Sequence, residues 1–213
     1  MTLGRIGMVE YYQVLLVAVD AFWLGACPFS VWVGHKFLGK EIRDYGDGNP
    51  GAANVMRAGG RKSFGLAMFL DIAKGVPFVY LAHAFWGFPD MAVVVVGLSA
   101  IMGHAFSPFL GFKGGKSIAV TGGVLLALPN LEVLFAFIIF ILIAFLFIER
   151  DAWTVIAGAA GTLAYMVITR GNSWESLFML GVLVILAVKH FNDLKTVPTR
   201  RVRILVWLQS RRR

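Results

Sequence analysis

The sequence predicts an all-α integral membrane protein of about seven transmembrane helices, with its N-terminus outside the cytoplasm and its C-terminus cytoplasmic. Three observations predict it: a surplus of apolar residues, their segregation into span-length runs, and a one-sided distribution of Lys and Arg. Of the 213 residues, 58% are hydrophobic and 15% charged, and the mean hydropathy is +0.75. A soluble domain is about half apolar and about a quarter charged. The surplus apolar surface must therefore face lipid. The length suits one compact bundle, read here as a membrane domain over residues 1–196 followed by a basic cytoplasmic tail over 197–213. The single cysteine, Cys27, excludes an intrachain disulfide.

A crossing helix needs about 20 mostly apolar residues. Runs near that length cover residues 8–33, 64–83, 91–106, 131–148, 152–169 and 176–188, the third and the last being short without their flanks. Residues 118–128 make about half a span and end at Pro129, which breaks or kinks a helix. Whether that segment crosses decides the topology, and the excess of cations in cytoplasmic loops settles it. If it crosses, the cytoplasmic side holds Lys36, Lys40, Arg43, Arg57, Arg61, Lys62, Lys113, Lys116, Arg150 and the eight Lys and Arg of 189–213. That is seventeen of the twenty in the chain. Arg5 and Arg170 fall outside, and Lys74 lies within a span. A single helix over 118–148 would put the eight-charge tail on the wrong side.

The net charge of +8 follows from this arrangement. The tail is expected to meet anionic lipid headgroups, with its 204–208 stretch suited to a short interfacial helix, or to be simply a positive-inside topology signal. With the cations assigned to membrane orientation, nucleic acid is not an expected partner. Leu24-Gly25-Ala26-Cys27 matches a bacterial lipoprotein cleavage box. However, Asp20 interrupts the apolar run before it and Glu10 sits where a leader would be basic, so 8–33 is read as a retained helix.

Two loops carry more chemistry than connectors need. Residues 39–60 hold six glycines, two asparagines and several basic residues; residues 103–117 end in Lys113-Gly114-Gly115-Lys116-Ser117. Glycine lets backbone N–H groups converge on an anion, and Lys or Arg balances its charge. Both loops fall on the cytoplasmic side, where together they make a cationic pocket for phosphate. Gly115-Lys116-Ser117 is similar to the end of a nucleotide-binding P-loop, but Leu110 replaces its first glycine and no strand precedes it, which excludes that reading. Asp71 and Lys74 are three apart on one helical face and are expected to pair. Asp20 lies mid-span without an obvious local partner and is read either as a buried hydrogen-bonded group or as part of a polar pocket. His83 is read as incidental. His190 and Asp193 share a face at the end of the last span, where a carboxylate can orient an imidazole base; a polar helix end explains the same residues.

These residues resemble a known family, the bacterial acyl-phosphate-dependent glycerol-3-phosphate acyltransferases (PlsY). Arg43 through Arg57, containing Gly46-Asp-Gly-Asn-Pro-Gly-Ala-Ala-Asn54, is similar to the family's first motif. Gly103-His104 through Lys116 is similar to the second, and His190 sits where the third has its histidine. The resemblance covers nearly the whole chain. It implies an enzyme of the bacterial inner membrane that moves an acyl chain from acyl phosphate to glycerol 3-phosphate, with lysophosphatidic acid and phosphate as products and no metal or other cofactor. By the same resemblance Arg43, Lys113 and Lys116 hold phosphate with the Gly114 and Gly115 backbone. Asn49 and Asn54 shape the pocket, and His190 takes the place of the third motif's histidine; with Asp193 on the same helical face it is read as the catalytic pair.

The chain departs from the family pattern at several places. Ala26, Asp47 and Ala53 stand where the family has serine, serine and threonine; Ser117 replaces a glycine, and Asp193 an asparagine. The serine expected near 153 reads Trp153 or Thr154. A hydroxyl bonded to a charged acceptor contributes about 1.5–3 kcal/mol, so losing several would weaken phosphate binding greatly. The alternative expectation is therefore a catalytically silent relative serving as a subunit of a larger membrane complex, with protein partners.

Overall fold

A computed structural model describes residues 8–196, and every regular element among them is helical. Arg5, the tail over 197–213 and its expected interfacial segment lie outside the described residues. The chain packs as two compact units, one ending at Pro129 and the other starting at Asn130. The first contains α1 (Met8–Ala26), α2 (Phe29–Leu38), α3 (Ala52–Arg57), α4 (Arg61–Ala73), α5 (Pro77–Tyr80), α6 (Asp90–Ala105) and α7 (Ile118–Ala127). The second contains α8 (Leu131–Phe147), α9 (Asp151–Arg170), α10 (Trp174–Lys189) and α11 (Phe191–Leu194). Among the described residues, four stretches are long and apolar enough to cross a membrane: Tyr11–Leu38, Arg61–Phe85, Asp90–Leu110 and Asp151–Arg170. α7 and α8 are shorter apolar helices, separated at Leu128–Asn130 rather than continuous. At 10 residues, α7 is about 15 Å long, half of a hydrocarbon core.

The run over 8–33 is not one helix. It breaks at Cys27–Pro28, because proline has no N–H to donate and its ring crowds the preceding turn. A break in an apolar environment strands carbonyls that water cannot reach, so protein groups must satisfy them. Two buried side chains do so. Ser107 Oγ donates to the Ala26 carbonyl at 2.6 Å, and Lys74 Nζ donates to the Cys27 carbonyl at 2.8 Å. Lys74 also lies 2.9 Å from Asp71 Oδ1, off the hydrogen-bonding direction, so that contact is Coulombic. Asp71 Oδ2 accepts from Ser30 Oγ of α2 at 2.5 Å. The expected Asp71–Lys74 pair therefore forms, and it joins α4 to both sides of the break. Both side chains are almost fully buried, at 2% and 1% exposure.

Small residues let the helices approach closely. A Cβ at Gly25 of α1 would strike the Ala100 carbonyl of α6, and one at Gly103 would strike the Phe22 carbonyl of α1. The pair Gly75 and Gly123 does the same between the end of α4 and α7. Such crossings suit membrane helices, where close van der Waals contact replaces hydrophobic driving force. They also fix the rotation of α1. Val14, Val17, Ala18 and Ala21 turn inward, and Asp20 lands on the exposed face instead of the interior. His83 is not incidental: its Nε2 donates to the Ala127 carbonyl at 2.6 Å, covering the abrupt end of α7. In the second unit, Arg170 at the end of α9 bridges Glu132 of α8 (2.5 Å) and Glu175 of α10 (2.7 Å), and Tyr165 Oη donates to Glu132 at 2.7 Å.

Replacing Lys74 by Met leaves the Asp71 carboxylate and the Cys27 carbonyl buried without it. The expected loss is about 3–5 kcal/mol, seen as a lowered unfolding midpoint in detergent. Lys74→Met combined with Asp71→Asn should recover part of that loss, the Cys27 carbonyl remaining unsatisfied.

Candidate functional site

The glycine-rich loop of residues 39–60 has its own core. Ile42 and Val55 are fully buried and pack with Val31, Val33, Ala52, Ala58 and Ala67. Lys40 Nζ donates to the Ala58 carbonyl at 2.8 Å, tying the start of the loop to the end of α3. Gly46 and Gly48 adopt φ of 59° and 71°, left-handed conformations that side chains resist. The residue between them, Asp47, keeps its side chain partly exposed, at 38%. Asn54 is buried beneath this turn. Its Nδ2 donates to Asp47 Oδ1 (3.1 Å) and to the Asn49 carbonyl (2.9 Å), and its Oδ1 accepts from Arg57 Nη1 at 2.7 Å.

The second loop is fastened to the end of α6. Gly115 N–H donates to the His104 carbonyl at 3.0 Å. A Cβ at Gly114 would strike that carbonyl, and one at Gly115 would strike the His104 ring. Only glycine lets this strip lie flat on α6. Lys116 then reaches across to the first loop, its Nζ 2.8 Å from Asp47 Oδ2. Ser117 follows with φ of 62° and introduces α7.

Between these pieces is a cavity of about 200 Å³, lined by Asn49, Gly51, Ala52, Ala53, Met68, Asp71, His104 and residues 116–119. Its volume suits a small polar ligand; drug-sized ligand pockets are about 300–1,000 Å³. The mouth holds the Lys116 cation, and the floor reaches Asp71 and so the network at the helix break. Partial burial would raise the Asp47 carboxyl, but the hydrogen bond and charge of Lys116 outweigh it and hold it below the ordinary carboxylate range.

The expected site residues are distributed unevenly. Asn49, Asn54, Gly114, Gly115 and Lys116 converge on this cavity or directly beneath it. Arg43 is not in the cavity lining. Glu41 holds it through Nε (2.9 Å) and Nη2 (2.7 Å), and accepts from the Arg43 N–H at 3.0 Å. The Arg43 hydrogen bond holds the Glu41 carboxyl down to about 2. The stabilisation from this pair is present above the usual carboxylate range and fades only as pH falls towards that value. Lys113 is exposed on the turn before Gly114. His190 and Asp193 belong to the second unit. His190 is buried, with Nδ1 donating to the Leu186 carbonyl at 2.8 Å. Asp193 is exposed in the first turn of α11. Sequence reasoning passed over Glu41 and Asp71 as parts of this region. Glu41 had a signal, an acid two residues before a basic residue in a tight turn; Asp71 joins the cavity only through the packing of α4 against α7.

A helical membrane protein with a small, glycine-framed cavity bordered by a lysine is the class these features define. A family model described as Glycerol-3-phosphate acyltransferase matches residues 15–199. The curated glycerol-3-phosphate acyltransferase of Neisseria meningitidis serogroup C is 35% identical over 196 residues, covering 91% of this chain and 98% of the relative. That of Wolbachia pipientis is 33% identical over 186 residues, covering 87% and 93%. Among solved structures, the glycerol 3-phosphate form of PlsY, an integral membrane glycerol 3-phosphate acyltransferase, aligns with a TM-score of 0.77 and 25% identity, covering 92% of this chain and 98% of that one. Its lysophosphatidic acid form gives 0.73 and 26%, covering 86% and 90%. The chain belongs to the glycerol-3-phosphate acyltransferase family.

Ser117 sits left-handed where the family pattern has glycine, a conformation that costs an L-residue about 1–2 kcal/mol. Its hydroxyl makes only a long 3.4 Å bond to the Ile101 carbonyl in return. Ser117→Gly should therefore raise the unfolding midpoint, by about 1 kcal/mol of stability, in thermal denaturation of the detergent-solubilised protein.

Proposed function

We propose that this protein transfers an acyl chain from acyl phosphate to the 1-hydroxyl of glycerol 3-phosphate in the bacterial inner membrane. The hydroxyl oxygen attacks the acyl carbonyl carbon and forms an ester bond, and the bond from that carbon to the phosphate oxygen breaks. Lysophosphatidic acid and phosphate result. The single observation that carries the reading is the cavity beside Lys116, framed by two glycine-rich motifs, in a chain of this family. Two phosphate-bearing substrates explain why both loops are cationic. Both solved relatives were captured in forms named for a phosphate-bearing ligand, glycerol 3-phosphate and lysophosphatidic acid.

In this reading Lys116 and the Gly114–Gly115 backbone take a phosphate, and Asn49 and Asn54 hold the loop that borders it. Arg43 and Lys113 supply further positive charge. Arg43 reaches a ligand by exchanging the Glu41 carboxylate for a substrate phosphate, the same kind of charge-assisted forked bond. His190, whose Nδ1–H donates to the Leu186 carbonyl, accepts the hydroxyl proton. Asp193 favours the charged form of that imidazole. The acyl chain lies among apolar helices near the cytoplasmic leaflet.

The proposed topology has seven crossings, an external N-terminus and a cytoplasmic C-terminus. Its support is the distribution of seventeen of twenty cations to one side and the separation of α7 from α8. A reporter that is active only in the cytoplasm, fused after Arg213, should be active; silence there, with activity of a periplasmic reporter, would reverse the orientation.

The central test is acyl transfer by purified protein supplied with acyl phosphate and glycerol 3-phosphate. Lysophosphatidic acid is expected from the wild type. Lys116→Ala and His190→Ala should each lower kcat/KM by about 100-fold or more, as loss of a charge clamp or a general base does. A folded wild type that yields no product at any chain length would favour a silent relative within a membrane complex.

A further inference from the structure

Asp47 stands where the family pattern has a serine, and the structure shows what the exchange does. Its carboxylate receives four donors. Oδ2 accepts from Lys116 Nζ at 2.8 Å; Oδ1 accepts from Asn54 Nδ2 at 3.1 Å, Arg57 Nη1 at 3.3 Å and the Asn49 N–H at 3.3 Å. Two of these donors are cationic, and Asn49 and Lys116 line the cavity. A bound phosphate would call on the same kind of donor set, charged side chains with a backbone N–H. The carboxylate is partly exposed, yet it is held in place. Its turn is fixed by left-handed Gly46 and Gly48, and the Asn54 that fastens it is 1% exposed.

We infer that Asp47 is a resident anion of the phosphate site, a specificity-determining residue that competes with substrate phosphate for Lys116 and Arg57. This rests on the acyltransferase reading for which substrate is involved, but not for the binding chemistry. A carboxylate at that place opposes an incoming phosphate twice. It occupies the cations, and its own charge repels the ligand at close range. A phosphate enters only by drawing Lys116 away from Asp47 or by moving the turn between Gly46 and Gly48. The affinity of this chain for phosphate-bearing ligands is accordingly set lower than the motif alone would give, and release of product phosphate is favoured.

Asp47→Asn removes the charge and keeps an Oδ1 acceptor for Asn54, Arg57 and the Asn49 N–H, so the turn is preserved. Asp47→Ser restores the residue type of the family pattern and serves as the second variant should the first fold poorly. Titration calorimetry of the full chain in lipid nanodiscs, with inorganic phosphate and then glycerol 3-phosphate, reads binding without turnover. Both variants should bind these anions about tenfold or more tightly than the wild type. In the transfer assay KM should fall much more than kcat changes. The substrate whose KM falls, acyl phosphate or glycerol 3-phosphate, is the one whose phosphate meets Asp47. Unchanged or weaker phosphate binding in both variants would overturn the inference and make Asp47 a part of the loop scaffold. Tighter binding without acyl transfer by any form would uphold the resident anion while removing the acyltransferase reading.

Discussion

A lysine that caps a broken helix is the constraint on which the first unit depends. The break at Cys27–Pro28 leaves carbonyl groups without helical partners, and the Lys74 ammonium and Ser107 hydroxyl bond them. Burying an ammonium alone would be prohibitive, so Asp71 accompanies it, and Ser30 bonds the second carboxylate oxygen. The result is a polar knot joining α1, α2, α4 and the turn after α6. Beyond that knot, α2 leads into the glycine-rich loop, which has a small core of its own around Ile42 and Val55.

The cavity is built on this knot rather than beside it. Asp71 is both a member of the ion pair and part of the cavity wall, so the helix break and the ligand site share one residue. On the other wall, the Gly114–Gly115 strip lies against His104 because no side chain intervenes. Close approach of backbone to helix aims the Lys116 side chain across the gap to the first loop. Rigid packing thus holds a flexible cation near one position, which is what binding a small anion needs.

In this chain the site cations have internal anionic partners. Glu41 grips Arg43, and Asp47 grips Lys116 and Arg57. Such pairs are worth little as stabilisers where they meet solvent, since screening is strong. Their consequence under the proposed function is for ligand exchange: a substrate phosphate taken by these cations would replace a carboxylate. Ser117 adds a second departure in the same strip, a side chain held left-handed at the entry to α7. The framework of glycines and asparagines is kept while the charges around it have been rebalanced.

The membrane class, the helical content and the separate α7 and α8 were legible in the sequence, because apolar run length and proline position are local properties. The pairing of Asp71 with Lys74 was legible for the same reason, through helical spacing. Both phosphate-site motifs could be read from their glycines and cations, and the resemblance they carry was enough to reach the family. What was not legible depends on how one helix meets another. The run over 8–33 reads as a single span until Lys74 and Ser107 arrive from elsewhere in the chain to make its break tolerable. Asp20 faces outward because Gly25 and Gly103 fix the rotation of α1 against α6, and His83 acquires a purpose only where α7 ends beside it. Most of all, Asp47 reads in sequence as a carboxylate standing where the family has serine; its grip on Lys116, sixty-nine residues away, exists only after both loops are in place. Sequence records which groups are present along the chain, but an electrostatic partner is decided by distance in space, and tertiary packing alone sets that distance.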